Sequence, residues 1–429
     1  MKNLIKALKR NSILRKGIAL LGNLYYGFPS RKLIVFGITG TNGKTTTSYF
    51  LKSILEKAGY KVGLIGTSGY WLDEKTKINP PAISLKPVTT PDPFYLQALL
   101  KKMRKRDTKY VVMEVSSFGL RDYRVFGIKF KGAILTNVSD CYHVFKHGSF
   151  RDYLESKKLL FKLLSKKSVA ILPQESEFYE EFKKATSAKV VSYGLDTSAD
   201  ICAEILKDNG SGTIFKVKTK TKEFEVNLSQ NSGRYNVLNA LSTIALALEL
   251  NIDYTIIKEG IEKCPLVEGR FEVFKKRGVT VIVDKANTSQ AFLELIARVK
   301  KLTPKNIIGV YGNFSDFPLE VRHQLAEIAI NNFDLTIITA DDSITESVEK
   351  CINDFIDYAK SRVGSEKYLA IKDRREAIKE AINRAREGDI ILVLGRGDEK
   401  LMNINGKIIP FDDREAVKEL LEESSPFPF

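Results

Sequence analysis

The run Gly37-Ile38-Thr39-Gly40-Thr41-Asn42-Gly43-Lys44-Thr45-Thr46-Thr47 constrains this 429-residue chain more than any other part of it. It follows Leu33-Ile34-Val35-Phe36, an apolar run that reads as a buried strand, and it leads into Ser48–Leu55, which reads as a helix. Strand, glycine turn and helix form the context of a phosphate-binding loop. Gly40 and Gly43 free the backbone to turn its N–H groups, with those of Thr41, Asn42 and Thr46, toward phosphate oxygens. Lys44 adds a point charge for the terminal phosphates, and Thr45 a hydroxyl for Mg²⁺. The helix start adds its partial positive charge. Gly37 stands one residue before the usual first glycine position, taken here by Ile38, so the loop is a variant.

Further apolar runs at Lys61–Thr67, Tyr110–Val115 and Gly132–Asn137 read as strands, with helical stretches such as Leu96–Arg104 between them. Alternation of this kind predicts an α/β fold with a parallel sheet covered on both faces, and ligands at the carboxyl ends of its strands. Glu114 and Asn137 fall at those ends. Residues 210–228, with Gly210-Ser211-Gly212 as a turn, predict an antiparallel excursion, and Asn236–Leu250 a helix. After a break near Pro265–Gly269 a second series begins, with strands at Val279–Asp284, Asn306–Tyr311, Leu335–Thr339 and Asp389–Leu394. The expected domains are a basic helical segment over 1–32, a central P-loop parallel-sheet ATPase domain over 33–266, and a smaller Rossmann-like α/β domain over 267–429.

Four dispersed cysteines and three histidines exclude a cysteine- or histidine-rich metal centre and suggest a reduced, cytosolic setting. The formal charge of +16 is spread along the chain with no RNA- or DNA-binding motif, so nucleic acid is not an expected partner. Residues 1–33 differ: Lys2, Lys6, Lys9, Arg10, Arg15, Lys16, Arg31 and Lys32 occur without an acid, and the first acid is Glu56. The apolar residues among them are too few to span a bilayer. Two readings stay open: a helix packed on the first domain, or a peripheral contact of residues 1–26 with an anionic membrane on its inner face.

The ordered set GITGTNGKTTT, Thr89-Thr90-Pro91, MEVSS at 113–117, TNVSD at 136–140, HGSFRDYLESKKLLF at 147–161, GRYNVLNAL at 233–241, GRFEVF at 269–274, GRGDE at 395–399 and IPFDDREAVKELL at 409–421 resembles the Mur ligase family, in particular its MurE branch. The resemblance implies ATP-dependent amide ligation. ATP and Mg²⁺ activate a carboxylate of a muramyl-peptide precursor as an acyl phosphate, which an amino acid's amine then attacks. Lys44, Glu114, Lys157 and His143 would be the catalytic set. Thr45, Glu114, Lys157 (as a carbamate) and His143, with Asp140 as the alternative, would hold metal. A bare ammonium repels Mg²⁺, whereas a carbamate is an anionic ligand. The carbamate lysine stands four residues after a tyrosine, as Lys157 does after Tyr153. Its plain alternative is a solvated Lys157-Lys158 pair. Asn236, Asn239, Arg270 and Asp284 would bind nucleotide. Thr89, Thr90, Ser116, Arg124, Asp316, Arg322, Asp341 and Glu399 would face substrate.

Three departures stand out. Residues 1–33 are too short for the family's N-terminal UDP-sugar domain, which leaves a UDP-linked, a lipid-linked and a different acceptor open. Lys285-Ala286-Asn287-Thr288-Ser289 replaces Tyr-Ala-His-Thr-Pro, and Phe118 replaces a histidine. Asp341-Asp342-Ser343-Ile344 stands where members that add diaminopimelate carry Asp-Asn-Pro-Arg, and two acids there suit a cationic side chain such as lysine. The alternatives are folylpolyglutamate-synthase-like ligation and a non-catalytic nucleotide-binding homologue.

Overall fold

A computed structural model describes residues 11–78, 88–139 and 143–423. The basic positions Lys2, Lys6, Lys9 and Arg10, and the metal alternative Asp140, lie outside the described residues. The chain divides into two compact units, residues 1–140 with 147–265, and residues 141–146 with 266–429.

In the first unit, strands β1 (Ile34–Thr39), β2 (Val62–Gly66), β3 (Gly69–Trp71), β4 (Lys77–Ile78), β5 (Tyr110–Glu114), β6 (Phe130–Leu135), β7 (Val169–Pro173), β8 (Lys189–Gly194), β9 (Ile201–Asp208), β10 (Thr213–Lys218) and β11 (Glu223–Leu228) form one sheet. Its order is β11-β10-β9-β8-β7-β6-β1-β5-β2-β3-β4. From β9 to β2 the pairings are parallel, and the two ends close in antiparallel hairpins. β1 lies inside the parallel block, flanked by β6 and β5, which is why its residues are apolar on both faces. Phe36 and Ile38 pack under the helices Lys44–Lys57, Arg234–Glu249 and Tyr254–Glu262. Val35 packs under Pro93–Lys105 and Phe150–Lys162. The chain leaves β1 between β5 and β6, strands that follow it in sequence on opposite sides. That is the crevice in which open α/β sheets bind ligands.

The second unit holds β12 (Glu272–Lys276), β13 (Val279–Asp284), β14 (Ile307–Gly312), β15 (Leu335–Thr339), β16 (Tyr368–Ala370) and β17 (Ile390–Leu394) in the order β12-β13-β17-β14-β15-β16. All pairings are parallel except the β12 edge. Helices cover both faces, with Ser289–Lys300, Leu319–Asn332 and Val348–Ala359 on one and Arg374–Arg384 and Asp413–Glu423 on the other. A small hairpin, β18 (Leu401–Ile404) with β19 (Lys407–Pro410), follows β17. The buried Arg374 ties this unit's loops together. It grips both carboxylate oxygens of Asp413 at 2.7 and 2.8 Å and donates to the carbonyls of Ala340 and Leu394. The two-domain α/β expectation holds in both sheets.

Candidate active site

The loop after β1 is shaped by its glycines. Gly43 caps the helix Lys44–Lys57 at φ +82°, a left-handed conformation open mainly to glycine, and no side chain caps that helix start. A Cβ on Gly43 would lie 2.4 Å from Asn239 Oδ1, and one on Gly40 would lie 1.9 Å from Thr136 Oγ1. The loop is therefore wedged between the segment after β6 and the helix Arg234–Glu249. Asn137 fixes it from one side: its Oδ1 accepts from Asn42 N–H at 3.0 Å, and its Nδ2 donates to Asn42 O at 3.1 Å. Thr41 Oγ1 meets Tyr153 Oη at 2.9 Å. Lys44 folds back over the loop, its Nζ donating to the carbonyls of Gly40 and Thr41 at 2.9 and 2.8 Å. Asn239 Nδ2 donates to Asn236 Oδ1 at 3.0 Å, so the two asparagines of the expected nucleotide helix form one buried amide pair beside Gly43.

Glu114 ends β5 and is fully buried. Its Oε2 accepts from Thr45 Oγ1 and Thr67 Oγ1, both at 3.1 Å, and its Oε1 from Thr67 N–H at 3.2 Å. An ordinary surface acid is excluded. Thr45 and Glu114, reached from different elements, present a hydroxyl and a carboxylate side by side at the loop. This is a donor set that suits Mg²⁺, which takes one or two carboxylates and completes its shell with phosphate and water. Among the described residues no group of three or more His, Cys, Asp or Glu side chains is placed to hold a metal.

Thr67 was not expected here. Its signal was faint, a threonine just past β2 on the strand beside β5. Thr67 Oγ1 also meets Thr89 Oγ1 at 2.9 Å, which brings the Thr89-Thr90-Pro91 segment to Glu114. Thr90 Oγ1 accepts from Ser116 N–H at 2.9 Å, and Arg124 Nη1 donates to Thr90 O at 2.8 Å. Thr89, Thr90, Ser116 and Arg124 thus form one connected edge.

Lys157 is 1 % exposed, with its Nζ 4.4 Å from the centroid of the Tyr153 ring. The solvated-pair alternative fails for it. Its neighbour Lys158 is ion-paired to Glu155 and Glu181. His147, which was not among the expected site residues, stands in this cluster. Its Nε2 meets Ser117 Oγ at 3.1 Å and its Nδ1 meets Ser156 Oγ at 3.2 Å. Phe118, in the histidine's place, stacks on it at 4.8 Å between centroids, and Tyr153 meets it edge-on at 5.4 Å. Burial, then the charges of Arg121 and Lys157, push its pKa down to about 4, so the imidazole is neutral at pH 7. His143 opens the short helix His143–His147, whose residues up to Lys146 cluster with the second unit.

In the second unit the expected residues gather at the carboxyl ends of the strands. Asp284 ends β13 and accepts from the N–H groups of Phe271 and Ala286, both at 2.7 Å. Burial raises its pKa against the opposing charge of Arg270 and those two bonds. Lys285 lies 3.1 Å from Asp398 and 3.2 Å from Glu399, with Arg270 3.6 Å from Asp398. Burial alone would raise the Asp398 carboxyl, but Lys285 and Arg270 hold it below the usual range. The substituted lysine therefore answers the aspartate of GRGDE. Asp316 accepts from Thr345 Oγ1 at 3.1 Å.

Two expectations need correction. Arg322 is buried, ion-paired to Asp354 and Glu346, and donates to Ser315 O at 2.7 Å. Its guanidinium holds the loop after β14 rather than reaching toward substrate. Asp341 and Asp342 are bridged by Arg396 Nη1 at 2.7 and 3.0 Å. Their charge is answered internally, so they do not form an open acidic pocket for a lysine side chain.

The family profile of the Mur ligase middle domain matches residues 38–247, and that of the Mur ligase glutamate ligase domain matches residues 269–397. A UDP-N-acetylmuramoyl-L-alanyl-D-glutamate–2,6-diaminopimelate ligase of Clostridium botulinum is 36% identical over 95% of this chain and 82% of its own length. The enzyme of that name from Aquifex aeolicus is also 36% identical, over 95% of this chain and 81% of its own length. A solved ligase structure with the same name has a TM-score of 0.63 at 25% identity and covers 94% of this chain and 82% of the other. MurF of Acinetobacter baumannii, at 20% identity, shares the fold with a TM-score of 0.70 over 96% of this chain and 81% of its own. A peptide-ligase scaffold carrying this loop and this order of strands closes the case: the chain belongs to the Mur ligase family.

Proposed function

We propose that the chain is an ATP- and Mg²⁺-dependent, ADP-forming ligase that adds an amino acid to a muramyl-peptide precursor, carried on UDP or on a lipid, at the inner face of the membrane. The relatives named above supply the substrate class, since both are UDP-muramoyl-peptide ligases by name. The observation that carries the reading is the junction of the Gly43 helix start with Thr45 and the buried Glu114.

When bound, ATP with Mg²⁺ supplies the phosphoryl group that turns a carboxylate into an acyl donor. This chain's residues do the rest. The uncapped helix start and Lys44 hold anionic oxygens. Thr45 and Glu114 hold the metal, with Thr67 fixing the rotamer of Glu114 through two hydrogen bonds. Lys157, as a carbamate, supplies a further anionic ligand, and the neutral His147 orders Ser117 and Ser156 around it. Asn236, Asn239, Arg270 and Asp284 are assigned to nucleotide. Thr89, Thr90, Ser116, Arg124, Asp316 and Glu399 are assigned to substrate. Residues 33–266 form the ATP-binding domain of this proposal, and 267–429 its second domain.

The test is phosphate release by the full chain with UDP-muramoyl dipeptide, its lipid-linked counterpart or a folate, each offered a panel of amino acids. Release that requires both a muramyl acceptor and one amino acid, and that Lys44→Ala abolishes, is expected. Release only with folate, or none with any acceptor, overturns the reading.

A further inference from the structure

The helix Ser12–Tyr26 is anchored on one side only. Asn11 caps it, accepting from Ile13 N–H at 2.9 Å. Ala19, Gly22 and Asn23 are buried. Asn23 Nδ2 donates to Phe126 O at 3.1 Å, Arg15 pairs with Asp122, and Lys16 lies over the Tyr123 and Phe126 rings. These contacts fall on one arc of the helix. The opposite arc carries Ile13, Leu14, Ile18, Leu21, Leu24 and Tyr25, all exposed, with Ile13 at 79%, Tyr25 at 74% and Leu24 at 65%. At 100° per residue these six share one continuous face, and Leu20 extends it toward the anchored side. Phe94, 41% exposed and 6.3 Å from the Tyr25 ring, extends it on the neighbouring helix. A helix that presents its polar side to its own protein and its apolar side outward is inverted relative to an ordinary surface helix.

We propose that this face docks the chain onto an anionic lipid bilayer, the helix lying in the plane of the interface. Charge selects the occupant. Arg15 and Lys16 are engaged on the anchored arc, but Arg31 and Lys32 just after the helix are exposed, residues 1–33 contain no acid, and the chain as a whole carries +16. A second copy brought face to face would set like charge against like, whereas anionic headgroups answer it. No helix among the described residues is long and apolar enough to cross a membrane. The binding is therefore peripheral and does not depend on the catalytic reading.

Flotation of the full chain with vesicles tests it. Equal parts phosphatidylglycerol and phosphatidylcholine should carry the protein up at 0.1 M salt, with binding about tenfold weaker on phosphatidylcholine alone and weakened again at 0.5 M salt. The triple variant Ile13→Glu/Leu21→Glu/Leu24→Glu should lose at least about tenfold in vesicle binding, and Arg31→Glu/Lys32→Glu should lose binding mainly at low salt. Both change exposed positions, so circular dichroism and ATP binding should match wild type. Failure of the wild-type chain to float, equal flotation of the triple variant, or a dimer in sedimentation that the triple variant abolishes would each overturn the proposal.

Discussion

His147 reports the chemical state of Lys157. The two groups flank one ring: Lys157 Nζ lies 4.4 Å and the imidazole centroid 5.4 Å from the centroid of Tyr153, so they are at most about 10 Å apart. At an effective dielectric near 20, a unit charge at that distance is worth about 1.7 kcal/mol. Behind burial and Arg121, the Lys157 ammonium is one of the causes that hold the His147 pKa at about 4. Carbamylation converts Lys–NH₃⁺ and CO₂ into Lys–NH–COO⁻ with release of two protons. The charge goes from +1 to −1, a swing of about 3.4 kcal/mol. The imidazole should then titrate about 2.5 pH units higher in bicarbonate than in CO₂-free buffer. The assay is NMR of ¹³Cε1-labelled histidine. The chain has three histidines, so His143→Asn and His323→Asn assign the signals. Lys157→Met keeps the apolar stem and removes the charge. It should raise the His147 midpoint by about one pH unit and abolish the bicarbonate response. Superimposable wild-type titrations with and without bicarbonate would refute the carbamate, whatever the enzyme's activity.

The remaining predictions are simpler. Gly43→Ala places a Cβ 2.4 Å from Asn239 Oδ1 at φ +82°. It should cost ~1–2 kcal/mol in chemical denaturation from backbone strain alone, and at least about tenfold in ATP affinity. Asp413→Ala strips the fully buried Arg374 of its carboxylate partner and should destabilise the protein by ~3–5 kcal/mol in urea unfolding, where a loss under about 1 kcal/mol would contradict the assigned pairing. Because the native His147 pKa is depressed to about 4 from 6.5, the unfolded chain takes up a proton first as pH falls. Stability should therefore decline between pH 6.5 and pH 4 by on the order of 2–3 kcal/mol, and His147→Gln should flatten that decline.

Much of this site was legible because its chemistry is local. Gly40, Gly43, Lys44 and Thr45 lie in one short turn, and Glu114 ends an apolar run. Strand and helix follow from pattern alone there. Other parts were not legible. Val169–Pro173 and Lys189–Gly194 form β7 and β8 inside the sheet, and the sequence reading assigns neither of them. The sequence reading picks His143 for the catalytic set, and only folding shows that His147 meets Ser117 and Ser156. The Asp341-Asp342 pair looked like an open acidic site because Arg396, 55 residues from Asp341, is invisible to local reading. Arg322 matched an expected substrate position, but its partner Asp354 lies on the following helix. Charges in a sequence carry no record of which of them the fold has already paired.

The central claim is that the loop after β1 holds a nucleotide together with a metal at Thr45 and Glu114. Calorimetric titration of the full chain with ATP, with and without Mg²⁺, tests it most directly, with Glu114→Gln run beside wild type. Wild type should bind one ATP about tenfold or more tightly when Mg²⁺ is present, and Glu114→Gln should bind ATP with the same weak affinity in both buffers. No heat from ATP in either buffer, or a Mg²⁺ response that survives in Glu114→Gln, would contradict the account.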